Sequence, residues 1–209
     1  MRRIATLAAA AALAVSSLIL APTTAQAGGP SCDGSWSMGV GGFVVSLSHG
    51  TGQPSTYMSV DQPVGYNGLN PVGGLRELDR LYWQHRNRCP GDHVKILGHS
   101  MGAAIVHTWV SEHQYEPRVS AVLLSDPKRA AGPGSDGLAG NSLNFVVGYP
   151  LAGTDANFGI VPVLSVCNAA DVVCNEVAGW HGYLFTGAHT NYSADADDYP
   201  DNASGVWFR

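Results

Sequence analysis

Gly98-His99-Ser100-Met101-Gly102 is the stretch that decides the fold of this 209-residue chain. The apolar run Val94-Lys95-Ile96-Leu97 comes directly before it and is typical of a short buried strand. The segment from Ala103 to Glu112 follows it, is rich in Ala, Ile, Val and Trp, and predicts a helix. A Gly-x-Ser-x-Gly pattern arises readily by chance in a glycine-rich chain, but a position between strand and helix is where a nucleophile elbow has to lie. We therefore take Ser100 as the candidate nucleophile.

The spacing of this elbow has a steric reason. In such a turn the serine backbone is strained so that its hydroxyl projects above the sheet, and the flanking glycines keep neighbouring side chains away. The helix that follows aims its first amides at the same point and favours negative charge there. The amide of Met101 is thus a candidate oxyanion-hole donor. The alternative is that Ser100 only caps the helix.

Further segments on both sides of the elbow indicate the fold class. Gly42 to Ser48 is a β-rich apolar run, and Pro71 to Asn87 has apolar residues at three- and four-residue spacing, which predicts an amphipathic helix. Val119 to Leu124 and Ile160 to Val166 predict two later strands, separated by the Gly- and Pro-rich residues Lys128 to Asn157. Strands that alternate with helices predict a single-domain α/β fold with a central, mostly parallel sheet flanked by helices. The chain length leaves little sequence for a lid domain.

Candidate acids and bases follow the serine in the chain. Asp171 comes just after the last predicted strand and is the favoured acid, while Asp126 ends the preceding strand and is the alternative. His189 lies in a loop and is the favoured base, and His181, which follows a tryptophan, is the alternative. Such a serine, histidine and aspartate would perform acyl transfer, in which the histidine takes the serine proton and the aspartate fixes its tautomer.

A second oxyanion donor is expected where the first predicted strand ends. His49-Gly50-Thr51-Gly52 opens from that strand, and glycines allow a backbone to approach a ligand closely. Thr51 is therefore the candidate for the second donor. The alternative is an ordinary glycine turn.

Residues 1–27 are predicted to be a secretory signal peptide. Arg2 and Arg3 form a basic start, an Ala- and Leu-rich run follows, and Ala25-Gln26-Ala27 is a small-x-small cleavage site. A membrane anchor is the alternative, but the run is short and polar residues follow it directly. The mature domain would span residues 28–209, and loss of the two arginines takes the net charge from −5 to −7. An acidic chain without a basic cluster argues against nucleic acid as a partner.

The four cysteines predict disulfide bonds. An even number of cysteines in an exported chain indicates disulfides, and three pairings are open. We favour Cys32 with Cys89 and Cys167 with Cys174, because the second pair closes a tight local loop. Zinc binding is the alternative, but a Cys-x6-Cys spacing is not finger-like.

Six motifs together resemble those of one family. In chain order they are Ser48-His49-Gly50-Thr51-Gly52-Gln53, Arg88-Cys89-Pro90, Gly98-His99-Ser100-Met101-Gly102-Ala103, Ser125-Asp126-Pro127, Cys167-Asn168-Ala169-Ala170-Asp171-Val172-Val173-Cys174 and His189-Thr190-Asn191-Tyr192. On these motifs the chain resembles the cutinase family of serine esterases and its actinobacterial relatives, from about Cys32 to Tyr192. The acid loop is the most telling match, since it couples a disulfide to the acid. The chain departs from the family pattern at His99 and Met101, where the family has Tyr and Gln, and at His49 and Gln53, where it has Arg and Glu.

The resemblance implies a compact α/β-hydrolase without a lid domain and a secreted carboxylic ester hydrolase. It implies Ser100, Asp171 and His189 as a triad, Thr51 and Met101 at the oxyanion hole, and both favoured disulfides. The expected substrate is a lipid or polyester ester. No cofactor, no metal and no stable protein partner are expected, and we expect a monomer. Two alternatives stay open: an acyltransferase that remodels envelope lipids on the same fold, and a non-catalytic binding module.

Overall fold

A parallel sheet forms the centre of the fold in the computed structural model, which describes Cys32 and residues 34–42, 57–141 and 151–209. Its six described strands are β1 Ser35–Val40, β2 Gln62–Val64, β3 His93–His99, β4 Val119–Leu124, β5 Val163–Cys167 and β6 Gly205–Phe208. They lie in the order β2-β1-β3-β4-β5-β6, and every described pair is parallel. The carboxyl ends of the strands therefore share one edge, where ligands bind in open parallel sheets.

Two long helices connect the central strands. Helix α1 is Pro71–Arg88. Asn70 is its N-cap, and Oδ1 of Asn70 accepts the amide hydrogen of Gly73 at 3.0 Å. Helix α2, Met101–Glu112, is buried from its second residue to Val110, because it lies between α1 and strands β3 and β4. None of the helices in the described ranges is long and apolar enough to cross a membrane.

The two faces of the sheet are covered differently. Ile96 and Leu123 point into the core shared with both helices, whereas their neighbours Leu97 and Val122 point to the opposite face. The opposite face packs against the C-terminal segment, including the buried Tyr199. Burial on both faces explains why β3 and β4 are almost continuously apolar. Both described long helices thus lie on one side, and the chain from Cys32 to Arg209 forms one compact unit.

The predicted parallel α/β fold is confirmed, and three strands are additional. The sequence predicted neither β1 nor the short edge strands β2 and β6. Strand β1 alternates between polar and apolar residues, and β6 is mostly exposed, so neither has the continuous apolar run of a buried strand. The strand predicted over residues 42–48 lies outside the described residues except for Gly42, which is not in a strand.

The start of the last predicted strand was also wrong. Strand β5 begins at Val163 rather than at Ile160, whose side chain is exposed. Pro162 directly precedes the strand, in keeping with the preference of proline for strand starts. The predicted signal peptide, residues 1–27, lies outside the described residues.

Both favoured disulfides are present. Cys32–Cys89 joins the segment before β1 to the end of α1, with the Cα atoms 5.4 Å apart. Cys167–Cys174 closes the loop after β5, with the Cα atoms 5.8 Å apart. All four sulfurs are therefore bonded, and the zinc alternative for these cysteines is wrong.

Candidate active site

Ser100 occupies a strained turn between β3 and α2. Its φ is +58° and its ψ −123°, a backbone conformation that non-glycine residues rarely adopt. A Cβ atom on Gly102 would lie 2.0 Å from the carbonyl oxygen of Val40, and one on Gly98 would lie 2.6 Å from that of Gly102. Both glycines are thus required by close packing. The Ser100 side chain makes no cap hydrogen bond with the helix, which leaves its hydroxyl for another partner.

The structure brings Ser100, His189 and Asp171 into one hydrogen-bonded chain. Ser100 Oγ lies 3.0 Å from His189 Nε2. His189 Nδ1 lies 3.1 Å from each carboxylate oxygen of Asp171. When the serine hydroxyl donates to Nε2, the single imidazole hydrogen sits on Nδ1 and points at the carboxylate. This is the arrangement that a general base needs in order to take a serine proton.

Asp171 is held by the disulfide-closed loop. Its side chain is fully buried, Oδ1 accepts the amide hydrogen of Val173 at 3.1 Å, and Oδ2 accepts the hydroxyl hydrogen of Tyr192 at 2.8 Å. Burial raises the pKa of Asp171, but hydrogen bonds from His189, Ser125 and Tyr192 and the nearby imidazole outweigh it and lower the pKa overall. The carboxylate is therefore ionised at neutral pH.

Comparison with known proteins decides the family. A sequence model described as Cutinase matches residues 43–203. The chain belongs to the cutinase family. A cutinase-like protein from Cryptococcus sp. is similar at 16% identity and a TM-score of 0.43, over 71% of this chain and 82% of that chain. A lipase-esterase related protein from Clostridium acetobutylicum is similar at 11% identity and a TM-score of 0.40, over 85% of this chain and 86% of that chain. No protein of curated function matches the sequence. Cutinase-family membership makes the chain an ester hydrolase of the α/β-hydrolase fold.

In this cutinase-family site the elbow residue His99 holds the backbone of His189. His99 Nε2 lies 2.8 Å from the carbonyl oxygen of His189, which only accepts, so Nε2 carries the hydrogen. His99 Nδ1 then accepts from the hydroxyl of Tyr57 at 3.0 Å, and the Tyr57 oxygen accepts the amide hydrogen of Gly42 at 2.8 Å. Burial, together with the nearby His189, lowers the pKa of His99 to about 4. A neutral ring therefore links the end of β1 to the His189 loop.

In the sequence, His99 stands out as a departure from the family pattern, with no sign of this supporting role. Its position next to the nucleophile was the available signal, because a residue beside Ser100 in the elbow has to face the active-site wall. The partner Tyr57 lies in a stretch with no helical or strand pattern, so no sequence signal pointed to it.

The alternative acid and base lie elsewhere. Asp126 Oδ2 is 2.7 Å from Nδ1 of the buried His107, and its Oδ1 accepts the amide hydrogen of Lys128 in the turn after β4. His181 is exposed and its ring lies 5.5 Å from that of Phe185. Neither side chain contacts Ser100, whereas Asp171 and His189 form the chain described above.

One predicted oxyanion donor can be placed. Met101 is the first residue of α2, so its amide lies at the helix N-terminus beside Ser100, where negative charge is favoured. Thr51 lies outside the described residues. The end of β1 is nonetheless adjacent to the nucleophile, since a Cβ atom on Gly42 would lie 3.3 Å from that of Ser100.

The pocket above Ser100 is mainly apolar. It has a volume of about 430 Å³, and Tyr57, Leu124 and Tyr183 line it together with Ser100 and His189. The Tyr183 ring lies 4.6 Å from the ring of His189. Exposed side chains flank Tyr183 in the chain, namely Trp180, Leu184 and Phe185. The Ser100 hydroxyl thus lies in a pocket with an aromatic wall, and exposed apolar side chains are close in the chain to Tyr183 of that wall.

Proposed function

We propose that this chain is a secreted carboxylic ester hydrolase that works through a Ser-His-Asp triad and an acyl-enzyme. The observation that carries the proposal is the unbroken set of contacts from the Ser100 hydroxyl through His189 to the buried, ionised Asp171. These contacts join a hydroxyl, an imidazole and a carboxylate in the order that nucleophilic attack by serine requires.

Acylation follows from this geometry. As Ser100 Oγ bonds to the ester carbonyl carbon, its proton passes to Nε2 of His189, and Asp171 stabilises the imidazolium that forms. The carbonyl oxygen becomes an oxyanion, which the amides of Met101 and Thr51 would bind. When the intermediate collapses, the bond to the alcohol oxygen breaks, and the imidazolium gives its proton to the leaving alcohol.

Deacylation repeats the sequence with water. His189 takes a proton from water as the water oxygen bonds to the acyl carbon, and the bond to Ser100 Oγ then breaks. The serine recovers its proton and the carboxylic acid leaves. No cofactor or metal enters any step.

The substrate class is a lipid or polyester ester. The pocket wall is aromatic and aliphatic, and exposed Trp180, Leu184 and Phe185, close in the chain to the lining residue Tyr183, suit an apolar or aggregated substrate. The two disulfides fit an oxidising, extracellular location. We further propose that residues 1–27 are a signal peptide, that residues 28–209 form the mature enzyme, and that it acts as a monomer without a nucleic-acid partner.

The test is hydrolysis of p-nitrophenyl esters of increasing acyl length. We expect Ser100→Ala to lower kcat by about 10⁴-fold or more, because the nucleophile is lost while the binding site remains. Ser165→Ala is the matched control, because Ser165 is a buried serine of β5 that does not line the Ser100 pocket. Equal rates for native protein and Ser100→Ala would reject the proposal.

A further inference from the structure

Ser125 has an unusual backbone at the edge of the site. It directly follows β4, is fully buried, and has a φ of +52°, in the left-handed region that favours glycine. Its amide donates to the carbonyl oxygen of Val166 at 3.0 Å, which fixes the residue against β5. A non-glycine residue in this conformation is strained, and such strain persists where the surroundings determine it.

The side chain of Ser125 points into the triad. Ser125 Oγ lies 2.9 Å from Nδ1 of His189, the nitrogen that faces the catalytic acid. Hydrogen bonding by Ser125 is also one of the causes that lower the pKa of the Asp171 carboxyl. The Ser125 hydroxyl therefore sits where the imidazole and the carboxylate meet.

Counting donors fixes the direction of these bonds. His189 Nδ1 has one hydrogen and an ionised Asp171 can only accept, so the hydroxyl hydrogen of Ser125 has the carboxylate as its strongest acceptor. The hydroxyl of Tyr192 is also close to Ser125, but a neutral phenol is a weaker acceptor than an ionised carboxylate. The Ser125 oxygen is then left to share, with the carboxylate, the one hydrogen on Nδ1.

We propose that Ser125 is a positioning residue of the triad, whose hydroxyl donates to Asp171 and accepts from the Nδ1 hydrogen of His189. This inference rests on the function proposed above. The hydroxyl fixes the imidazole tautomer and orientation from a direction that the carboxylate does not cover. It also gives the imidazolium a second acceptor in the transition state, where that charge develops.

The test compares Ser125→Gly and Ser125→Ala with the native protein and with Ser165→Ala. Both Ser125 variants lose the hydroxyl, but only glycine relieves the backbone strain. We expect kcat on a p-nitrophenyl ester to fall about 10-fold or more in both, since one hydrogen bond to a charged group is lost, while KM changes little. We expect the Tm of Ser125→Gly to exceed that of Ser125→Ala by about 2–4 °C.

A second readout is the acid side of the pH–rate profile. The titratable groups around Asp171 are His189, His99 and Tyr192, and all three remain in the variants. The acid limb reports the state of the base, and the Ser125 hydroxyl contacts that base at Nδ1. We therefore expect the limb to move in both Ser125 variants. Ser165→Ala should keep the native profile.

The outcomes separate the two proposals. Native activity that does not depend on Ser100 would overturn the proposed function and this inference with it. Native activity that does depend on Ser100, with unchanged kcat and pH profile in both folded Ser125 variants, would overturn the role of Ser125 alone. Circular dichroism and the Tm establish that each variant is folded at the assay temperature. A reduced kcat in Ser125→Gly at an undiminished Tm would support positioning. If Ser125 had only a structural role, its replacement would lower the Tm and leave the kcat of the folded protein unchanged.

Discussion

At the scale of single residues, the site depends on the hydrogen bonds that hold His189. His189 uses Nε2 for Ser100 and Nδ1 for Asp171, and its backbone carbonyl is held by His99. The first two contacts restrict the orientation of the imidazole, and the third restricts the backbone that carries it. Spacing in the sequence identified Ser100, Asp171 and His189 as candidates because they stand in recognisable motifs. Ser125 also stands in a motif, Ser125-Asp126-Pro127, but its supporting role and that of Tyr57 could not be predicted from it, since these roles arise only when distant segments meet.

Replacing His99 tests whether its hydrogen bond to the backbone of His189 contributes to activity. His99→Leu removes the hydrogen bond to the carbonyl oxygen of His189 while keeping a side chain of similar bulk, so we expect kcat to fall about 3- to 10-fold with KM little changed. Stopped assays with a p-nitrophenyl ester would measure both constants. A KM rise at constant kcat would instead assign His99 to substrate binding.

At the scale of elements, the two disulfides serve different purposes. Cys32–Cys89 ties the segment before β1 to the end of α1 across a sequence separation of 57, and its loop contains none of Ser100, Asp171 and His189. Cys167–Cys174 has a separation of 7 and encloses Asp171. The sequence could predict this loop because its two cysteines and the acid are close in the chain. It could not predict β6, because that short exposed strand exists only through its pairing with β5.

Removing each disulfide should therefore separate stability from activity. In the chain-entropy model, Cys32→Ala with Cys89→Ala lowers the free energy of unfolding by about 4 kcal/mol, and Cys167→Ala with Cys174→Ala by about 2–3 kcal/mol. We expect the second variant, although the less destabilised of the two, to lose more kcat, because Asp171 is released. Urea denaturation and ester hydrolysis measure the two effects. A greater loss of kcat in the first variant would refute this division of roles.

At the scale of the whole molecule, a second buried charge cluster links stability to pH. His107 is fully buried, with Nδ1 2.7 Å from Asp126 and Nε2 3.3 Å from Asp155. Burial lowers the pKa of His107, but the two carboxylates outweigh it and raise the pKa to about 9. The sequence interpretation considered Asp126 as an acid for the triad. It could not reveal the His107 pair, which forms only when α2 packs on the turn after β4.

This cluster predicts how the free energy of unfolding changes with pH. The folded pKa of about 9 lies above the unfolded value of about 6.5, so the stabilisation is complete below pH 6.5 and is lost as the pH rises through 9. We expect the native protein to lose on the order of 2 kcal/mol across this window, and His107→Gln to lack that decline. Urea unfolding at pH 6, 7.5 and 9 measures it. Parallel curves for both proteins would show that His107 is neutral when folded.

The central claim is that Ser100 is a nucleophile activated by His189 and Asp171, and a covalent trap tests it most directly. The purified protein is treated with a fluorophosphonate, digested, and analysed by mass spectrometry. The account predicts one adduct, on the peptide that contains Ser100, formed much more slowly in His189→Ala and absent in Ser100→Ala. An unlabelled native protein, or an adduct on a different serine, would contradict it.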